Sequence, residues 1–127
     1  TSNICTTSGL CALAFSIHLT LLGDKGLRAL AAENHRLACQ AADTLSAIDG
    51  VRLLNATFFN EFTLILPTDA REVVRALADK YILAGVSLGR LFASDPALAN
   101  GLLVTVTETT TEEDIAAFAA ALVEVLA

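Results

Sequence analysis

Among the side chains that can do covalent or metal chemistry, this chain carries two lysines, two histidines and three cysteines. A lysine amine can form a Schiff base with a carbonyl. Lys25, however, stands in the loop-like string GDKG and Lys80 near the end of a helical pattern, and both are expected in water. His18 and His35 fall on two different helical stretches, neither beside a serine or cysteine in a nucleophile motif. The plain reading is one packed and one exposed imidazole. Cys5, Cys11 and Cys39 are an odd number of thiols with no CxxC pair, which fits neither a zinc site nor a disulfide framework. No metal site is expected. Cys5 and Cys11 could approach a helix start, where thiolates are stabilised, but small buried thiols that fill space are the commoner outcome.

The remaining candidates are charged residues in unusual settings. Glu61 lies inside the apolar string FNEFTLIL, so its carboxylate must be at an edge, paired or functional. Arg90, in VSLGRLF, is the basic residue on a glycine-bearing loop and could clamp a carboxylate or phosphate; an interface or surface arginine is the alternative. Glu108 stands where a strand pattern meets a turn. Gly85 and Gly89 serve turn geometry, because no helix follows at the spacing of a phosphate-binding loop.

The elements that position these residues follow from periodicity. Leu10, Leu13, Ala14, Ile17, Leu21 and Leu22 recur at helical spacing and Gly23 is a helix stop. Asp24 then caps a second helix running through Leu27, Leu30, Leu37, Ala41 and Leu45 to the Asp49-Gly50 turn. Val51 to Leu54 reads as a short strand, Phe59 to Leu66 as an alternating one that Pro67 ends, and Thr68 or Asp69 caps a helix closing near Lys80. Tyr81 to Phe92 reads as a loop with a short strand, and Asp95 to Gly101 as a further loop. Leu102 to Thr107 is a buried strand, and Thr110 or Thr111 caps a last helix with Glu113 or Asp114 near its third position. The string α-α-β-β-α-(β)-β-α predicts an α+β fold: a small antiparallel sheet with helices on one face and a long leading helix.

At 127 residues the chain is long enough to bury a core and fold alone. With 54% hydrophobic residues against 17% charged it is not disordered, and the apolar excess points to surface that a neighbour covers. A net charge of -6 with eight scattered basic residues excludes a nucleic-acid partner. The apolar run from Leu10 to Leu22 is shorter than the roughly 20 residues a membrane span needs, and no basic residue precedes it as in a signal peptide. It is therefore read as a buried helix of a soluble protein, with no membrane partner. The cysteine pattern makes a reducing cytoplasm the expected location.

Taken in order, TSNICT, the helix LCALAFSIHLTLLG, FFNEFTL, LGR and LLVTVTETTTEEDI resemble the C-terminal part of subunit 1 of the bacterial two-subunit glycine dehydrogenase (decarboxylating), the P-protein of the glycine cleavage system. The resemblance runs the length of the chain, with TSNICT and FFNEF its most specific strings. It implies the small C-terminal domain of the pyridoxal-phosphate-dependent aspartate-aminotransferase fold (fold type I): residues 1–23 a linking segment and helix from the large domain, residues 24–127 the small α+β domain. On that basis Thr1 lies inside a longer chain, with the large domain before it.

The resemblance also implies an activity. The family's enzyme decarboxylates glycine with pyridoxal phosphate and passes the aminomethyl group to the lipoyl arm of the H-protein. The cofactor is expected on the partner, glycine dehydrogenase subunit 2, and none on this stretch, which is not expected to be active alone. Related enzymes grip the substrate carboxylate with an arginine on the strand matching LLVTVT, and none stands there. The motifs place Thr1, Ser2, Asn3, Asn60, Glu61, Arg90 and Glu108 near the active-site interface, with no catalytic role assigned to any. Two rival readings stay open: a non-catalytic interaction or assembly module, and a small enzyme using Cys5 or Cys11 as nucleophile. Alone, the segment is expected to self-associate through its first helix or the loop from Gly85 to Phe92.

Overall fold

In the computed structural model, which describes residues 8–127, the helical and strand patterns resolve into nine elements. In chain order they are α1 (Gly9–Ser46), β1 (Arg52–Leu53), β2 (Glu61–Ile65), α2 (Ala70–Asp79), β3 (Val86–Ser87), α3 (Leu88–Leu91), a 3-10 turn (Pro96–Leu98), β4 (Gly101–Thr105) and α4 (Glu112–Leu126). The strands form one antiparallel sheet of order β1-β2-β4-β3, so the fold is α+β as expected. The chain divides into two compact units, residues 1–32 and 33–127.

Within the first unit, Gly23 breaks the helical geometry of α1 with φ 60° and ψ -175°, a left-handed conformation that glycine adopts without a Cβ clash. The expected stop is therefore a break inside one long element, and helix resumes at Asp24, whose carboxylate pairs with Arg28 at 3.0 Å. The expectation that this stretch is buried does not hold. Leu21 is 81% exposed and Leu10 77%, and Leu13, Phe15 and Ile17 are also exposed. Helical spacing says which residues share a face, not whether anything covers it. The estimate of a short apolar run is also revised: α1 carries an 18-residue window of mean hydropathy 1.3, none of it buried, long and apolar enough to cross a membrane by length and composition.

The second unit holds the core. From α1 come Leu37, Ala38, Ala41, Ala42 and Leu45, one helical face on which the alanines let a neighbour approach closely. The sheet contributes Phe62, Leu64 and Leu66 from the β2 segment and Leu102, Val104 and Val106 from the β4 segment. Phe62 pairs with Val104 and Leu64 with Leu102, so these side chains share one face of the pleat. Ala70, Val73 and Leu77 of α2 and Ile115, Ala121 and Leu122 of α4 complete the same cluster. On the other face Arg52, Glu61 and Thr105 are exposed.

Local chemistry sets the helix ends. Asp69 caps α2 by accepting from the Arg71 amide at 2.8 Å, and Thr111 and Asp114 form a reciprocal capping box on α4, with amide bonds of 3.1 and 2.9 Å. Helix α2 ends in a Schellman arrangement: the Ile82 amide donates to Leu77 O and the Tyr81 amide to Ala78 O, both at 2.9 Å. The left-handed position of that motif usually holds glycine. Here it holds Tyr81, at φ 63° and almost fully exposed. The strands are shorter than their apolar patterns, and α3 occupies part of the stretch expected as loop; four residues are too few to show helical periodicity.

Removing the cap by Thr111→Ala is expected to cost about 1 kcal/mol in urea denaturation. Bonds from the Thr111 amide and hydroxyl hold the Asp114 carboxyl below its ordinary value. A depressed folded value means this contribution is complete above the unfolded value, about 3.9, and is lost as pH falls through the folded one. In Asp114→Asn that part of the acid sensitivity should vanish. Tyr81→Gly, which relieves the left-handed strain, is expected to stabilise the chain by about 1 kcal/mol, and an unchanged unfolding midpoint would count against that strain.

Candidate functional site

At one end of the β2–β4 ladder the structure gathers three of the residues singled out from the sequence. Asn60 precedes β2; its carbonyl accepts from the Val106 amide at 3.0 Å, and its side-chain Nδ2 donates to Val106 O at 3.2 Å. Its amide thus pins the end of the ladder. Glu61 faces Thr105 across the ladder, and the Thr105 hydroxyl donates to Glu61 Oε1 at 3.4 Å. The carboxylate is exposed on the open side of the sheet, which is how a charge sits in an otherwise apolar strand. Glu108 lies just beyond β4, exposed in a turn in which the Thr107 amide donates to Thr110 Oγ1 at 3.3 Å and the Thr109 amide to Thr107 Oγ1 at 3.4 Å.

His35 and Cys39, which the sequence reading set aside, join the same corner. The imidazole Nδ1 lies 2.8 Å from Phe59 O. A carbonyl only accepts, so Nδ1 carries the proton and Nε2 is left with its lone pair in the neutral ring. Cys39 Sγ, one helical turn on, is 3.6 Å from Nε2 and 3.9 Å from Nδ1. The ring stacks on Phe59, with centroids 6.0 Å apart and planes 11° apart, and meets Phe58 edge-on at 6.2 Å. The search for a nucleophile motif beside each histidine did not anticipate this contact, for which the four-residue spacing was the available signal. The aromatic pair from FFNEF is what orients the ring. Cys11 is exposed, so it is not the buried filler expected of it, and Cys39 is half-buried.

Arg90 is elsewhere. It lies on α3, which follows β3, and β3 pairs with the start of β4 rather than its end. There it lines a cavity of about 320 Å³ with Arg71, Arg75 and Ser87. Thr1, Ser2, Asn3 and Cys5 lie outside the described residues. Lys25 is exposed, and Lys80 is tied at 2.6 Å to Glu124, whose carboxyl it holds below the ordinary value. Among the described residues no three histidine, cysteine or acidic side chains gather as a metal site would require.

The arrangement offers two exposed carboxylates, a committed amide and an oriented imidazole beside a thiol, and no lysine placed among them. The family model of the glycine cleavage system P-protein matches residues 1–122. The chain is 65% identical over its whole length to "Probable glycine dehydrogenase (decarboxylating) subunit 1" of Erythrobacter litoralis, and 66% identical, again over its whole length, to the protein of that name from Sphingopyxis alaskensis. It is also similar to a crystal structure of glycine decarboxylase (P-protein) of the glycine cleavage system in inhibitor-bound form, with a TM-score of 0.85 and 37% identity over 98% of this chain. In each case the chain spans 28% of the relative's length. That share is a length and assigns no position along the relative.

Thiol labelling with a neutral maleimide at pH 7 should modify Cys11 at about the rate of free cysteine and Cys39 more slowly, because Cys39 is half-buried against the imidazole. A rate at Cys39 above that of free cysteine would reinstate a nucleophile in this chain.

Proposed function

Because the chain belongs to the glycine cleavage system P-protein family, we propose that it is a segment of a glycine dehydrogenase (decarboxylating) subunit that supports an active site carried by a partner. The match over residues 1–122 carries this reading. The cofactor of the proposed reaction is pyridoxal phosphate, which when bound supplies the sink for the electron pair left by a departing carboxylate. The chain's own residues do not fit the anchoring of that group. Its lysines are Lys25 and Lys80, the first exposed in water and the second held by Glu124 at 2.6 Å. Glycine dehydrogenase subunit 2 is therefore the proposed carrier of the cofactor.

What this chain contributes in that reading is position. Asn60 and the β2–β4 ladder hold Glu61 at one end of the sheet, with Glu108 in the turn just beyond it, where both can face a neighbouring surface. The rest of the proposal follows the family: an aspartate-aminotransferase fold for the whole subunit, transfer of the aminomethyl group to the lipoyl H-protein, and a cytoplasmic heterotetramer of the two subunit types. The rival of an assembly module draws on the exposed apolar side chains of Leu10, Leu21, Tyr81 and Leu83. On the leading reading those same residues are surface that the remainder of the enzyme covers.

Glycine–bicarbonate exchange, measured with the partner subunit alone and with the full-length subunit added back, is expected to need both. Exchange at full rate by the partner alone would overturn the supporting role. In the assembled enzyme, Lys25→Ala and Lys80→Ala should leave both exchange and the visible absorbance of the cofactor unchanged; loss of the absorbance in either would place the cofactor on this chain.

A further inference from the structure

The sheet leaves the end of β4 without a neighbour on one side. The Val106 amide donates to Asn60 O and the Leu66 amide to Asn100 O, so along this segment the even-numbered residues turn their backbone groups to β2 and the odd-numbered ones face the opposite edge. On that edge β3 takes up Leu103, which lies opposite Val86. The next position, Thr105, would fall opposite Ala84, and among the described residues no backbone group pairs with its N–H or C=O there.

Gly85 is the cause. At φ 134° it turns the chain off the sheet, where a Cβ would strike the Leu103 carbonyl oxygen. Beyond that bend residues 81–84 stand apart from β4, and the space between them opens as a cavity of about 550 Å³. Val104, Val106, Ile115 and Phe118 give it an apolar floor. Tyr81 and Leu83 stand at its rim, 98% and 96% exposed, the two most exposed large apolar side chains among the described residues.

An unpaired strand edge beside an apolar groove is the arrangement that takes up an extended peptide: the edge supplies main-chain hydrogen bonds and the groove takes alternate side chains. A helix spends its own N–H and C=O groups internally and could not satisfy Thr105 along its side, so the edge selects an extended occupant. Length points to the source. On the proposed reading this chain is part of a subunit, and it spans 28% of its relatives' length, so most of that subunit's chain lies outside it. A tethered segment docks at high effective concentration and needs no second molecule.

We infer that the groove between residues 81–84 and the end of β4 holds an extended segment of the same subunit from outside residues 1–127, which adds a short strand at Thr105 and packs apolar side chains against Leu83 and Phe118. The inference rests on the proposed reading of this chain as part of a larger subunit.

The test uses the full-length subunit and reads the groove, not glycine exchange. The Thr105 amide of wild type is expected to exchange hydrogen at least about tenfold more slowly than an unstructured chain. Benzoylphenylalanine in place of Leu83 should photo-cross-link within the subunit to a segment outside residues 1–127, with the same product whether or not the partner subunit is present. Thr105→Pro, which removes the edge N–H and leaves the bonds to β2 alone, should cut that cross-link about tenfold. Exchange of the Thr105 amide at the unstructured rate would overturn the inference, and this measurement stands even if Thr105→Pro does not fold. So would a Leu83 cross-link to a second copy, to the partner subunit or to residues 1–127, its absence, or its persistence in a folded Thr105→Pro. Full glycine exchange by the partner alone, with the cross-link intact, would remove the supporting role and leave the docked strand standing.

Discussion

The pairing of β2 with β4 is the contact on which the second unit depends. It joins Glu61–Ile65 to Gly101–Thr105, and everything between them, including α2, β3 and α3, is enclosed by that closure. Its register is not free to slip. Phe62, Leu64, Leu102 and Val104 are all at most 4% exposed, and a shift of one residue would turn Glu61, Thr63 or Thr105 toward the core. Two asparagines fasten the ladder's ends. Asn60 exchanges a backbone and a side-chain bond with Val106, and Asn100 does the same with Leu66, accepting from its amide at 2.9 Å and donating from Nδ2 at 3.2 Å. Each asparagine satisfies backbone groups just where the strand runs out of partners.

That closure also divides the functional candidates. The strand order puts β3 at the edge beside the start of β4, so Arg90 and Ser87 belong to a cleft at one corner, while Asn60, Glu61 and Glu108 gather at the other end of β4. Gly85 makes the edge position possible: its φ is 134°, and a Cβ there would run into the Leu103 carbonyl oxygen. The glycine read as a turn residue is thus also a close-approach residue, and it brings β3 near enough to β4 for Ser87 to be buried.

Much of this was legible in the sequence because it depends on short-range rules. Alternation in FNEFTLIL, a helical break at Gly23, a cap at Thr68 or Asp69 and a cap at Thr110 or Thr111 all follow from neighbours within a few residues. The parts that were missed depend on contacts between segments far apart. Nothing in VSLGRLF shows that Arg90 will share a cleft with Arg71 and Arg75, or that Ser87 will be buried without a partner, since both facts arise only when α2 packs on the β3 edge. The His35–Cys39 pair lies between these cases. Its spacing was visible, but the orientation of the ring comes from Phe59, 24 residues away. The N-terminal string TSNICT, which weighed heavily in the resemblance, lies outside the described residues.

The exposed apolar residues explain a composition that the core alone does not. A hydrophobic fraction of 54% exceeds what the buried cluster uses, and the remainder stands in water at Leu10, Leu13, Leu21, Tyr81 and Leu83. Single exposed leucines are ordinary, but an 18-residue window of mean hydropathy 1.3 with none of it buried is not. Tyr81 adds an independent sign, because an aromatic residue in a left-handed position is strained, and its ring is almost wholly exposed. Neither feature stabilises the residues described. The chain spans 28% of its relatives' length, and in the proposed function this bare surface is one that the remainder of the subunit covers.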